Sequence, residues 1–525
     1  MTRSSAGSVW ADKRCMSRPG VMIILPCGLT VGGVTSWAVR LVNNLCRERA
    51  CGLVLHAPTP GIARYSAKLD DAVRVFELPD SARVEEANGD IGPIVNAYGE
   101  VVRRFCGSAP VALIPNLLGD CYGACAAMTR DESLDVRVVG WAHSENGYDA
   151  RVLGHYEAAL CRAGAVSTRL ATDVRKRWPG READVELIST GVESGGARST
   201  SGPARTIVYT GRMDEGVKRV SALIHMSDIL EARGVSHRLL LVGDGPDAAA
   251  IDRMIAARSK EKTLRMMRVA SASPEEIRII LRLSEFFVLP SRFEGLSVSM
   301  LEAMSEGCCC VVTAENSGAP EAIEHGVSGI LLTTASSASA ERAGVDLADA
   351  LMAISPARTA ELGEKASCVV RERFTIAAHA RAVSKLLDMA VHGPVRRWPR
   401  EKQAAFTARP GTVGSGTVPS DADVRLRLVM DSLRGRNVVV HGTGRHSVEL
   451  AHVLGEYVAE IQAFIDDDPA RQGMEFLGKP VVAPNRAANL GATDIVISSH
   501  LHQDAIWSRR DEYERVGVRV HRLYS

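Results

Sequence analysis

Two glutamates carry the first chemical suggestion. Glu294 and Glu302 are separated by seven residues, and Gly295-Leu296-Ser297-Val298 follows the first directly. An apolar run from Phe286 to Leu289 precedes this stretch, and another from Cys308 to Val312 follows it. That order predicts strand, loop, helix and strand, the parallel α/β unit. Gly295 lets the backbone approach a ligand closely. Leu296, Ser297 and Val298 then open the helix with unpaired N–H groups, an anion site suited to phosphate. Glu302 returns to the same face about two turns on, so the two carboxylates bracket one ligand. On spacing alone, a crossover helix with a core stripe of Val298, Leu301 and Met304 is the simpler reading.

Other residues could share this chemistry. The strand Thr206 to Thr210 ends in Gly211-Arg212, with Lys218 six residues further on. Arg forks onto two phosphate oxygens and Lys adds a point charge, so the pair suits a diphosphate. Leu239 to Val242 runs into Gly243-Asp244-Gly245, a second tight turn. His143 follows the strand Val136 to Trp141, at the strand end where open α/β sheets bind ligands. Gly28, Gly32 and Gly33 lie between a first strand from Val21 to Pro26 and a helix with Trp37, Leu41 and Leu45 at core spacing. These glycines admit a phosphate or a sugar, or simply a tight turn.

Together these segments resemble family 4 of the retaining glycosyltransferases with the GT-B fold. The resemblance rests on the Glu294 to Met304 stretch, the Gly211-Arg212…Lys218 element, the Gly32-Gly33-Val34 loop, His143, and Gly318-Ala-Pro320-Glu321, and it covers roughly residues 20 to 390. It implies two Rossmann-like domains facing across a cleft: an acceptor-side domain over 20–200 and a nucleotide-sugar-binding domain over 203–390. It further implies that Glu294 and His143 contact the donor sugar and Glu302 the ribose. Gly295, Leu296, Ser297 and Val298 would meet the diphosphate through backbone N–H groups. Arg212 and Lys218 would stabilise the leaving diphosphate, with Gly32, Gly33, Gly211 and Gly243 lining the donor. The implied reaction moves a sugar with retention from a UDP- or GDP-linked donor to an acceptor hydroxyl, in polysaccharide or glycoconjugate synthesis. The acceptor would be a sugar, a lipid-linked sugar or a small molecule. No cofactor or metal is implied, and no Asp-x-Asp motif stands at a suitable loop. Ser189-Thr190 departs from the family's Pro-Asn before Gly191-Val192.

Composition sets the outer limits. The chain has 525 residues, 46% hydrophobic and 24% charged, with net charge +1. That length suggests about three domains of ~150 residues, and the charge gives no bias toward nucleic acid. No apolar run approaches the ~18 residues of a membrane span. Residues 1–19 read as a ragged leader, and the run Val21 to Pro26 is too short for a signal peptide. The twelve cysteines lack paired Cys-x2-Cys spacing and read as reduced, small apolar residues of a cytoplasmic protein. Arg169, Arg175, Lys176, Arg177 and Arg181 form either a solvated face or a patch for the inner membrane surface; the solvated face is the preferred reading. A helix is expected from Asp149 to Arg162 and a strand from Gly164 to Leu170.

Residues 391–424 hold four prolines and several glycines and read as a flexible tether. Residues 425–525 then begin as a small Rossmann-like domain. Asn437 to Val440 leads into Gly442-Thr443-Gly444, and Asp466 stands where a ribose-binding acid would be. This segment resembles the small domain at the ends of some sugar methyltransferases and beside sugar acyltransferases. A binding or assembly module is the default, with Gly442, Gly444 and Asp466 as ligand residues and NAD or another nucleotide as the alternative ligand. Two rivals to glycosyl transfer remain: a GT-B nucleotide-sugar epimerase, and a non-catalytic scaffold.

Overall fold

The runs Val21–Leu25, Val111–Ile114 and Val138–Ala142 are apolar without alternation, as strands covered on both faces must be, and all are buried. The computed structural model describes residues 18–524, apart from 59–63, 67, 79–83, 85–89, 108, 145–146, 197–204, 259–264, 407–421, 468–470 and 500–502. The leader before residue 18 and residues 407–421 of the expected tether lie outside the described residues.

The first sheet contains β1 (Gly20–Leu25), β2 (Cys51–Leu55), β3 (Val73–Glu77), β4 (Val111–Ile114), β5 (Val136–Ala142), β6 (Leu160–Ala165) and β7 (Val185–Leu187). It is parallel throughout, in the order β3-β2-β1-β4-β5-β6-β7. Helix α1 (Gly33–Leu45) follows β1 and buries Trp37, Leu41 and Leu45. The second sheet contains β8 (Arg205–Thr210), β9 (His237–Val242), β10 (Met266–Val269), β11 (Phe286–Leu289), β12 (Cys309–Thr313) and β13 (Ile330–Leu332), in the order β10-β9-β8-β11-β12-β13. It is also parallel. Short helix α2 (Glu215–Lys218) follows β8, and α3 (Val298–Ser305) joins β11 to β12. In each sheet the strand order reverses beside the first strand, between β1 and β4 and between β8 and β11. The crevice outside the strand ends there is where doubly wound sheets take ligands.

Helix α4 (Ile376–His392) crosses back and packs on α1, β5 and β6. His379 seals this crossing: its Nδ1–H donates to the Ser189 carbonyl at 2.8 Å and its Nε2 accepts from Trp37 Nε1–H at 2.8 Å. The turn after β7 serves the same junction. A Cβ on Gly191 would stand 2.5 Å from the Thr375 carbonyl oxygen, and Val192 bridges Thr375.

Two expectations are corrected. The expected helix ends early, at His155, and the next strand is β6 over 160–165 rather than 164–170. Gly164 is required because Trp141 lies on it: a Cβ on Gly164 would stand 2.6 Å from the Trp141 ring. Small residues chosen for clearance give little strand signal. Ser167 then caps the following helix by accepting from Leu170 N–H. The second correction concerns 393–406, assigned to the tether. Trp398 is buried against Tyr156 and His155, and Tyr156 donates to the Ala404 carbonyl at 2.6 Å. Phe406 N–H donates to Asp120 Oδ1 at 2.6 Å. This stretch is a strap on the first domain, and the chain divides into two compact units after Phe406.

The second unit, taken by itself, holds β14 (Val438–His441), β15 (Ile461–Ile465), β16 (Glu475–Phe476), β17 (Lys479–Val482), β18 (Asp494–Ile497) and β19 (Arg519–Arg522) in the order β16-β17-β15-β14-β18-β19. Among the described residues, β16–β17 pair antiparallel and the other neighbours pair parallel.

Candidate active site

Two helix N-termini meet across the crevice of the first unit. Gly32 caps α1, and a Cβ on it would meet nothing within 4 Å. A Cβ on Gly33 would touch Val298 Cγ2 at 3.7 Å, so the starts of α1 and α3 lie side by side. Helix α3 starts two residues later than the sequence suggests, at Val298 rather than Leu296. Ser297 is its N-cap, accepting from Met300 N–H, and Leu296 and Ser297 belong to the loop. The N–H groups of Val298 and Ser299, in the first turn, have no acceptor within the helix and carry its positive end. Gly295 is required by the meeting of the domains, since a Cβ there would stand 1.9 Å from the His143 carbonyl oxygen. Of the expected core stripe, Leu301 and Met304 are buried and Val298 is half-buried at the seam.

Lys218, at the end of α2, reaches Glu294 in the β11 loop. Their ion pair is nearly enclosed, with side-chain exposures of 18% and 11%. Ser291 Oγ–H donates to the same carboxylate at 2.7 Å. The Arg292 N–H donates to the Val217 carbonyl at 2.8 Å, tying the two loops together. Arg212 stands apart from this pair. It is half-exposed and pairs with Asp214, the N-cap of α2, at 3.1 Å. Gly211 and Gly243 pack on each other. A Cβ on Gly243, at φ 143°, would stand 1.9 Å from the Gly211 carbonyl oxygen.

His143 is fixed by Asn116, which the sequence did not single out. The Asn116 amide donates to the Ile24 carbonyl at 3.0 Å and the Ile114 carbonyl at 3.1 Å. Its oxygen therefore accepts, and His143 Nε2, 2.8 Å away, must carry the proton. Nδ1 is left as an acceptor. Burial, with His379 nearby, pushes the imidazole down to about 3, so it is neutral at ordinary pH. Asp149 accepts the His143 and Ser144 N–H groups at 2.6 and 3.0 Å and holds the loop.

Glu302 reaches the first domain. Arg40 of α1 pairs with it through Nη2, and with Glu193 through Nε at 3.0 Å. Arg40 and Glu193 had no signal in the sequence: one sits inside a helix pattern, the other in a Ser/Gly-rich segment.

Residues 204–349 match the family model described as Glycosyl transferases group 1. The chain is 29% identical over 121 residues to the putative glycosyltransferase EpsF of Bacillus subtilis, covering 23% of this chain and 30% of the relative. It is 34% identical over 120 residues to the amylovoran biosynthesis glycosyltransferase AmsK of Erwinia amylovora, covering 22% and 29%. The chain thus spans under a third of these relatives. Among solved structures, HepE of Anabaena in complex with UDP-glucose superposes with a TM-score of 0.53 at 14% identity, over 70% of this chain and 98% of that one. The fold is GT-B.

The basic residues of the first GT-B domain are largely engaged. Arg181 pairs with Glu157 and, at 2.9 Å, with Asp184, and Lys176 pairs with Asp173 at 3.5 Å. Arg175 donates to the Val185 carbonyl at 2.8 Å. Among the described residues, no helix is long and apolar enough to cross a membrane, and no cluster of three His, Cys, Asp or Glu side chains could hold a metal ion.

In the second unit, Gly442 has φ 109°, and a Cβ there would stand 2.9 Å from the Ser498 carbonyl oxygen. Gly444 caps a helix of only five residues. Asp466 Oδ2 accepts from the Thr443 N–H at 2.7 Å and hydroxyl at 2.6 Å. One oxygen of the Asp466 carboxylate thus holds the glycine loop closed.

Proposed function

We propose that the protein transfers a glycosyl group with retention from a nucleotide-sugar donor to an acceptor hydroxyl, in the assembly of a polysaccharide or glycoconjugate. The observation that carries this is the convergence in one crevice of the α3 N-terminus, the open Gly32 cap of α1, the Lys218–Glu294 pair and the neutral His143. The diphosphate lies on the α3 N-terminus, with Lys218 and Arg212 as its cations. Glu302 accepts from the ribose hydroxyls, and Glu294 from a hydroxyl of the sugar. His143 accepts at Nδ1, because Nε2–H is committed to Asn116. The C1–O bond to phosphate breaks as the acceptor oxygen bonds to C1 on the same face. The leaving phosphate oxygen takes the acceptor's proton, and the products are the glycoside and a nucleoside diphosphate. UDP is the first donor nucleotide to test, since the HepE structure holds UDP-glucose.

The test is a thermal-shift series on the full chain with UDP- and GDP-sugars, UDP, GDP and NAD. Binding to the native state raises the melting temperature by mass action. The reading requires a rise with one nucleotide-sugar that Glu302→Ala abolishes. A rise with NAD alone that survives Glu302→Ala would move the chemistry to the second unit.

A further inference from the structure

Helices α1 and α3 begin together at Gly33 and Val298. Seven residues into α1, Arg40 faces Glu302, four residues into α3. Glu302 is badly placed for a carboxylate on its own. It sits in the second half of an eight-residue helix, toward the negative end of the dipole. Arg40 also holds Glu193, bringing a second anion to the same guanidinium. Burial works against the Arg40 charge, and the two carboxylates more than offset it, raising its pKa. The Arg40 side chain is 9% exposed and is held from two sides, by Glu302 through Nη2 and by Glu193 through Nε.

We propose that Arg40 is a positioning residue for the nucleotide's ribose, reaching from the first domain to hold the Glu302 carboxylate in the one orientation that receives the sugar hydroxyls. Arg40 takes Oε1 and leaves Oε2 for the ligand. Without Arg40, repulsion from Glu193 and from the helix end turns the Glu302 carboxylate away. The ribose site is then complete only when the two domains are together, although its acceptor belongs to the second. This rests on the assignment of Glu302 to the ribose under the proposed function.

The experiment is calorimetric titration of the full chain with UDP and GDP, and with their 2′,3′-dideoxy counterparts. The readout is the ratio of ribo to dideoxy affinity, which a general loss of structure does not change selectively. In the wild type this ratio should be about tenfold to a hundredfold, as for hydroxyls bound to a charged acceptor. Arg40→Met should reduce it to about one, as should Glu302→Ala, while Arg40→Lys should retain part of it. Melting curves of the variants check folding, and the Lys variant, which keeps the cation, covers the case in which Met does not fold. Collapse of the ratio in Glu302→Ala but not in Arg40→Met would overturn the positioning role and leave the ribose assignment standing. A wild-type ratio near one, or binding of neither diphosphate, would overturn the ribose assignment itself and the role of Arg40 with it.

Discussion

Glu294→Gln separates two jobs that meet at one carboxylate. Glu294 neutralises Lys218 and accepts from Ser291. Two unit charges about 4 Å apart interact by about 4 kcal/mol at an effective dielectric near 20. Most of this is offset by desolvation, and the pair is not fully enclosed. Gln keeps an acceptor for the Ser291 hydroxyl and removes the charge. The stability cost should therefore be about 1–2 kcal/mol, lowering the melting temperature by a few degrees. Ligand binding should respond in two directions. Lys218, no longer shared, should bind a nucleoside diphosphate as tightly as before or tighter, by about 1 kcal/mol or ~5-fold. Glycosyl transfer should fall by about tenfold to a hundredfold, because a neutral amide is a poorer acceptor for the sugar hydroxyl. Calorimetry with UDP and GDP, set beside donor hydrolysis in the absence of acceptor, measures both. If diphosphate affinity and turnover fall in parallel, Glu294 is a structural counter-ion for Lys218 and the division of labour is wrong.

Three further outcomes are expected. Burial pushes His143 to about 3 and His379 to about 4, while Asp149 is raised to about 6, chiefly by burial. The depressed histidines contribute stability that is present above about 6.5 and is lost as pH falls toward their folded values. Asp149 opposes them between about 4 and 6, so one group's net dependence remains, and urea midpoints should decline between pH 6.5 and 4. In the same pH series, turnover should show no histidine titration between pH 5 and 8. Gly243→Ala forces a side chain into a 1.9 Å contact at φ 143° and should cost more than about 3 kcal/mol by urea unfolding. Residues 18–406 should melt as one cooperative unit without the rest, whereas ending the chain at 392 exposes the Trp398 site and should lower stability by about 3–5 kcal/mol.

The parts of the site that were legible in the sequence are those whose chemistry and position lie in one segment. Glu294 and the α3 N-terminus could be read because a strand, a glycine and a helix follow one another locally. The meeting of Lys218 with Glu294 was legible only as a shared ligand, and the structure makes it a direct ion pair. Arg40 was invisible, because its partner lies 262 residues away and nothing distinguishes it from a surface arginine on an amphipathic helix. Asn116 was missed because a lone polar residue after a strand reads as a turn. The strap failed for a compositional reason. The prolines and glycines of 391–424 dominated, while Trp398 and Phe406, large apolar groups that a solvated tether does not need, were the contrary signal.

That strap sets an order on synthesis. The second GT-B domain builds its sheet from neighbouring segments, all within 205–332. The first begins at residue 20 yet takes its outer cover from α4 and the strap, which ends at Phe406. A ribosome therefore delivers every strand of the first sheet early and withholds its lid until more than two hundred further residues have emerged. The domain that is made first is finished last. Until then the faces under Tyr156 and Trp37 stay open, which is the interval in which a nascent chain is most exposed to wrong partners.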